Sequence, residues 1–345
     1  MNISMIFDHL NQMNEEELFY KQYYHSRQSP DTLAQFLASL DPIQLDARGL
    51  IVPDVIPERI PQAMSDDQYF NINETTSVYL SKHSRYTPVF EHTHIFFEII
   101  YVLSGTCTHH IFHQNMELKE GDLCLVSPSV QHSLQVNDDH SIIINILMRR
   151  STIEDIFFNV LRDNSIISEF FLSSIYIKNH AAYLLFHTQE DLEIRNLILE
   201  MFLEQYLNQE YSDRIISSML IIFFSKLVRK HKHTVESPTT ANHHDTSLLA
   251  YISEHYAAIT LSQLAKHLNF SVPYCSAYVK KNTGYSFLQL VRKIRFQHAE
   301  MLLTSTNISI HCISLRLGYE NPENFMRAFK KEYGMTPSSY RNHTH

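Results

Sequence analysis

The stretch Ile308–Arg341, ISIHCISLRLGYENPENFMRAFKKEYGMTPSSYR, divides into two short amphipathic segments around one glycine. Ile310, Ile313, Leu315 and Leu317 have the spacing of a short buried helix, with Ser309 placed as its N-cap. Gly318 breaks the pattern. A second helix begins with Asn321 as N-cap, Pro322 at the first helical position and Glu323 in the first turn, where the positive helix end favours an acid. On it Phe325, Ala328 and Phe329 share one face, while Glu323, Met326, Arg327, Lys330 and Lys331 fall elsewhere. Helix, glycine turn and a helix with one apolar and one basic side is the plan of a helix-turn-helix, whose second helix enters the major groove. A surface helical hairpin would have the same pattern, so this segment alone leaves both readings open.

A second copy of the plan lies upstream. Thr260–Leu268 (TLSQLAKHL) is amphipathic, with a capping box at Thr260 and Gln263 and with Leu261, Leu264, Ala265 and Leu268 on one side. Asn269–Ser271 forms the turn, and Ser271 caps a helix that runs through Pro273, Tyr274, Tyr278, Val279, Lys280 and Lys281 to Gly284. Phe287–Ser305 spaces Phe287, Leu290, Ile294, Ala299, Leu302 and Leu303 as one connecting helix. Two such units on a stiff spacer can place recognition helices in successive major-groove segments, about 34 Å apart.

These residues resemble the DNA-binding domain of the AraC/XylS family of bacterial transcription regulators over about the last hundred positions. The resemblance is carried by Gly318-Tyr319, Asn324-Phe325, Arg327-Ala328-Phe329-Lys330-Lys331, Gly334 and Thr336-Pro337-Ser338-Ser339-Tyr340-Arg341. It implies that Pro273, Ser276 and Ala277 face the groove in the first unit, with Lys280 and Lys281 near phosphate. In the second it implies Asn321, Glu323, Met326 and Arg327, with Lys330 and Lys331 on the backbone. Ser276 offers a weak base contact and Ala277 only a touch on a thymine methyl, so the first unit positions more than it specifies. Glu323 can accept from a cytosine amino group; Arg327 can fork onto guanine or hold a phosphate. Arg295 matches a family arginine that braces the domain.

Charge fits this division. The chain of 345 residues has a net charge of −9, yet from Asp245 onward eleven Lys/Arg face six Asp/Glu. The acidic balance belongs to the front and the basic end has the footprint for phosphate. Cys107, Cys124, Cys275 and Cys312 lie far apart with no CxxC pair, as expected of reduced thiols. The start, MNISMIFDHLNQMNEEE, lacks a signal peptide's cationic head and apolar run, and Met219–Phe224 is too short to span a bilayer. A soluble, cytoplasmic protein with no membrane association is expected.

Ahead of the tail, residues 1–75 contain helical periodicity at Asn14–Tyr24 and Thr32–Leu40 and are read as an extension packed on the next domain or a mobile leader. Residues 76–150 change to short β-rich runs: Ser77–Lys82, Val89–Leu103, Cys107–His113, Asp122–Ser127, Gln131–Val136 and Ser141–Met148. A sandwich or small barrel follows. Residues 151–233 return to helical spacing with a strand at Tyr183–His187; Ile215–Val228 is apolar almost all round and should be buried. Residues 234–246 are read as a linker and 247–345 as the double helix-turn-helix domain. The fold class is therefore α+β.

His92, His94 and Glu98 are even-numbered, so one continuous strand would point all three to one side. With Gly105, Gly121 and His132 they resemble the two-part signature of the cupin barrel, although its leading glycine is missing and Val130 replaces another. The resemblance implies that His92, His94, Glu98 and His132 converge inside the barrel. Three readings stay open: a sensor pocket for a small polar effector such as a sugar, a divalent-metal site, or structural polar residues. His109, His110 and His113 read as surface or pocket rim. The leading expectation is a ligand-responsive, dimeric DNA-binding regulator, not an enzyme, with no cofactor; contact with RNA polymerase is implied by the family alone. The alternative is a metal-dependent cupin dioxygenase or isomerase with an accessory DNA module.

Overall fold

Between Val78 and Met148 the β-rich runs fold as strands: Phe97–Ser104, Asp122–Val126 and Ile142–Met148 are buried almost throughout, while Thr106–Ile111 buries alternate residues. The computed structural model describes residues 2–65, 69–70, 77–153, 166–178, 182–237 and 243–343. Its strands are β1 (Ala63–Met64), β2 (Val78–Lys82), β3 (Thr93–His94), β4 (Phe97–Ser104), β5 (Thr106–Ile111), β6 (Gln114–Lys119), β7 (Asp122–Val126), β8 (His132–Gln135), β9 (Ile142–Met148), β10 (Tyr183–His187) and β11 (Val235–Glu236). One sheet has the order β11-β10-β7-β4-β9-β2 and another β6-β5-β8, while β1 and β3 pair in parallel. Buried side chains from both larger sheets, among them Ile100, Val102, Ile111, Cys124, Leu134 and Ile143, form one apolar core between them.

Among the described residues before position 240 the helices include α1 (Ile3–Asn11), α2 (Glu15–Ser26), α3 (Pro30–Ala38), α4 (Pro42–Ala47), α5 (Ile166–Tyr176), α6 (Leu192–Leu207) and α7 (Ser212–His231). They are followed by α8 (His243–His255), α9 (Leu261–His267), α10 (Val272–Thr283), α11 (Phe287–Ser305), α12 (Ile310–Arg316), α13 (Pro322–Tyr333) and α14 (Pro337–His343). The chain forms two compact units, Met1–Thr152 with Ala181–Pro238, and Ile153–His180 with Thr239–His345.

In the second unit the expected caps form. Thr260 and Gln263 make a reciprocal capping box, Ser271 accepts from Tyr274 N, Ser309 from Cys312 N and Asn321 from Glu323 N. The turn of the second helix-turn-helix needs a residue without a side chain. Gly318 has φ +79°, and a Cβ there would lie 1.7 Å from the carbonyl oxygen of Ala257. Phe296, Leu303, Ile313, Leu317, Phe325 and Phe329 bury one core around α11.

The first unit anchors its extension by charge. Glu17 on α2 is fully buried, and its carboxylate takes Arg85 Nε at 2.8 Å and Lys82 Nζ at 2.5 Å. Arg85 also donates to Asp139 O at 2.6 Å and Asn11 O at 3.1 Å, and Lys82 to Leu10 O at 3.1 Å and Gln12 O at 3.0 Å. Burial by itself would raise the Glu17 carboxyl; the bonds from Arg85 and Lys82 overcome that and hold it below the usual carboxylate value.

Several expectations are corrected. The run Val89–Leu103 is not one strand: the chain bends at Ile95–Phe96, between β3 and β4. β6 escapes the sequence reading because among its six residues only Leu118 is buried. In α7 the buried stripe is Ile216, Leu220, Phe223, Phe224 and Leu227, while Ile215 and Ile222 are exposed, so the helix is amphipathic and not enclosed all round. Within the stretch read as linker, Val235 and Glu236 pair with Phe186 and Leu185 because β10 has a free edge there, and α8 already begins at His243. In the stretch read as one helical region, α5 packs on α8 in the second unit.

Replacing Glu17 by Gln leaves Arg85 without its counter-charge and is expected to cost about 3 kcal/mol in urea unfolding. Because the folded carboxyl is depressed, its contribution is complete above the unfolded carboxylate value and is lost as pH falls through the lower, folded one. Wild type should therefore lose stability over that acid range and Glu17→Gln should lose less of it. Gly318→Ala sets a methyl group against backbone at positive φ and should destabilise the second unit by about 2 kcal/mol or more, read as a lowered melting temperature.

Candidate functional site

Strand pairing in the first unit brings separated histidines to one place. His92 and His132 form an antiparallel bridge, each backbone nitrogen donating to the other's carbonyl oxygen at 3.0 Å, and Ser129 N donates to His94 O at 2.8 Å. Glu98, on the central strand β4, then lies with Oε2 3.4 Å from His94 Nε2 and 3.2 Å from His132 Nε2. All three side chains are buried. Burial would raise the Glu98 carboxyl, but its contacts with His132 and His94 hold it well below the ordinary value.

The expected quartet is thus a close trio with His92 beside it. His94, Glu98 and His132 each offer an atom within 4.8 Å of the others. The His92 ring lies 4.6 Å from that of His132 and 6.5 Å from that of His94, and burial with the neighbouring His132 pushes it down to about 4. The imidazoles are oriented from behind. His94 Nδ1 lies 2.6 Å from Phe96 O, His132 Nδ1 3.3 Å from Val130 O and His92 Nδ1 3.3 Å from Phe90 O. A carbonyl only accepts, so Nδ1 carries the hydrogen and, in the neutral ring, Nε2 presents a lone pair.

The trio and His92 line a cavity of about 300 Å³. Tyr69, Tyr79, Phe90 and Phe96 supply apolar wall. His83 and Asn145 also face it, and the sequence reading missed both. His83 Nε2, Asn145 Oδ1, His94 Nε2 and Glu98 Oε2 are buried without a hydrogen bond. Burial pushes His83 down to about 4, so its ring is neutral near pH 7. Glu16, Tyr20 and Ile51 of the extension also line it. The donor set of two imidazoles and a carboxylate, oriented by carbonyls behind the rings, fits a divalent transition metal.

The reading of His109 as a surface or rim residue is corrected. It is fully buried, its ring lies 5.4 Å from that of His132, and burial pushes it down to about 3. Alternation along β5 places Cys107, His109 and Ile111 inward, which parity in the sequence could have shown. His110 pairs with Glu91 at 3.1 Å and His113 is exposed.

The second unit presents the other candidate surface. α10 buries Cys275, Val279 and Thr283, and α13 buries Phe325 and Phe329. Pro273, Ser276, Ala277, Lys280, Lys281, Asn321, Glu323, Met326, Arg327, Lys330 and Lys331 are all exposed. Asn324, absent from the expected set, accepts from Arg327 Nη2 at 2.6 Å and so orients the guanidinium. Tyr274 was also missed, and at 55% it is the most exposed large apolar residue of α10. Arg295 donates to Tyr256 O at 2.8 Å and Ala257 O at 3.0 Å, a bracing contact.

Two family models match the chain: an AraC-like ligand binding domain over residues 76–221 and a helix-turn-helix domain over residues 264–343. The chain belongs to the AraC family, as a helix-turn-helix protein with an N-terminal ligand-binding domain. Among curated relatives it is 23% identical to the transcriptional activator RhaS of Klebsiella pneumoniae, over 73% of this chain and 87% of that protein. It is 29% identical to the melibiose operon regulatory protein of Escherichia coli, over 35% of this chain and 39% of that protein. With the regulator YtdP of Bacillus subtilis the identity is 36%, over 26% of this chain and 11% of that protein. The chain thus spans less than half the length of the latter two.

Proposed function

We propose that this chain is a ligand-responsive, sequence-specific DNA-binding transcription regulator. The observation that carries the reading is the division of α10 and α13: each buries one apolar face and leaves bare the side chains that suit a groove and its phosphates. The relatives are transcription regulators, which supports a regulator over an enzyme. In the first unit the cavity receives the effector, with His92, His94, Glu98 and His132 as its polar end and the aromatic wall as its apolar side. A cavity of about 300 Å³ with both kinds of lining suits a small polar molecule, and the melibiose regulator among the relatives supports a sugar. The effector acts by favouring one arrangement of the protein over another; tight binding alone would shift nothing.

Exposed apolar residues on α6 and α7, namely Leu192, Tyr206, Leu207, Ile215 and Ile222, support a homodimer that uses these helices. No helix among the described residues is long and apolar enough to cross a membrane. A cytoplasmic location belongs to the DNA-binding reading. Contact with RNA polymerase belongs to the same reading.

Arg327→Ala and Lys330→Ala should each weaken binding to the cognate promoter and lower the slope of log affinity against log salt by about one. Unchanged affinity and slope in both variants would remove α13 from the interface. In a reporter assay over a panel of metabolites, His94→Ala should abolish the response to the inducing compound while basal promoter binding persists. A normal response would place the effector elsewhere.

A further inference from the structure

At the cavity two imidazoles and a carboxylate converge with His94 Nε2 and Glu98 Oε2 left without a hydrogen bond. Two imidazole Nε2 atoms, which present lone pairs in the neutral rings because a carbonyl lies behind each Nδ1, point at one carboxylate oxygen. Such groups repel unless positive charge lies between them. A proton bridging an imidazolium and a carboxylate gives a contact of about 2.7–2.9 Å. The separations here are 3.2 Å and 3.4 Å, and no hydrogen bond reaches His94 Nε2 or Glu98 Oε2. Ligands about 2.1 Å from a shared ion stand about 3.0 Å apart at octahedral angles and about 3.4 Å apart at tetrahedral ones. Both separations from Glu98 fall in that interval, and all three ligand atoms lie within 4.8 Å of one another.

Resting on the effector reading above, we infer that the cavity is a metal-dependent sensor site in which His94 Nε2, His132 Nε2 and Glu98 Oε2 hold one first-row divalent transition metal and His92 does not. The effector then binds through oxygen atoms, such as neighbouring hydroxyls, to the side of the ion that faces the cavity. This departs from the four-residue site that the barrel resemblance implied. His92 lies outside the trio whose ligand atoms come within 4.8 Å of one another. Its ring packs on His132 and lines the cavity. Two nitrogens and one carboxylate oxygen suit zinc, nickel, iron or manganese better than calcium or magnesium. Three protein ligands also leave coordination positions free, as a fourth would not in a tetrahedral site. The orphaned His83 Nε2 and Asn145 Oδ1 line the same cavity and are placed to bond an organic ligand.

The test is a cobalt titration of the full chain after treatment with chelator, followed by visible absorption and by metal content after gel filtration. One Co²⁺ per chain with ligand-field bands is expected. His94→Ala, His132→Ala and the isosteric Glu98→Gln should each weaken binding by about 100-fold or more, while His92→Ala stays within about three-fold. Acetohydroxamate, a small bidentate oxygen ligand, should shift the bands of the cobalt protein because open positions face the cavity. Circular dichroism checks that each variant is folded. Absence of cobalt binding by the folded wild-type chain overturns the proposal, and so does an equal loss in His92→Ala, which would restore the fourth ligand. An unchanged spectrum with acetohydroxamate overturns the open face. Promoter binding is measured separately: a chain that takes cobalt but ignores DNA refutes the regulator reading alone, and one that binds DNA but no metal refutes this proposal alone.

Discussion

A carboxylate taken out of water must be compensated where it lies, and the first unit contains two that are solved differently. Glu17 meets fixed cations, Arg85 and Lys82, whose remaining hydrogens go to backbone carbonyls of Leu10, Asn11, Gln12 and Asp139. That network is closed and leaves little for a ligand to do. Glu98 has the imidazoles of His94 and His132 beside it, each held by a carbonyl so that its neutral form offers a lone pair toward the carboxylate. The first arrangement is a structural anchor. The second is incomplete in charge, and incompleteness inside a cavity is what a binding site requires.

The two carboxylates are joined by one short segment. Lys82, His83, Ser84 and Thr87 line the cavity, and Lys82 and Arg85 hold the extension through Glu17. Glu16 and Tyr20, one residue before and three after the anchor, reach the cavity from α2. The extension is therefore part of the wall although it lies outside the residues matched by the ligand-binding family model. Any shift of the segment 82–87 on ligand binding acts on both the pocket and the ion pairs, because packed charges of this kind have few alternative geometries.

How much of this was legible in the sequence follows from the range of the interactions. The helix-turn-helix units could be read because their signals are local: caps at Thr260, Ser271, Ser309 and Asn321, an apolar period, and a glycine at the turn. What the sequence hid about Gly318 is the carbonyl of Ala257, sixty-one positions away, that excludes a side chain there. The barrel was legible where one face is apolar and invisible where it is not, as in β6. Parity placed His94 and Glu98 together, yet for an incomplete reason, since the strand it assumed bends at Ile95–Phe96. His83 follows the end of β2 and Asn145 lies on β9, with no spacing to relate them, so only the folded chain brings them to one cavity.

The two candidate recognition helices differ in what they can specify, and pre-organisation explains the difference. On α13, Asn324 holds Arg327 by its guanidinium, so part of the side-chain entropy of contacting a phosphate or a guanine is already removed. Lys330 and Lys331 follow on the same exposed surface. On α10 the side chains that could direct bonds are committed elsewhere: Tyr278 and Asn282 both donate to Asp245, at 2.8 Å and 2.6 Å. That leaves Ser276, Ala277 and the ring of Tyr274 facing outward, with Lys280 and Lys281 behind them. Short and apolar groups discriminate between bases weakly, while lysines hold phosphate without regard to sequence. Under the proposed function, α10 therefore contributes affinity and register, and selectivity falls mainly to the turn of α13 that carries Glu323 and Arg327.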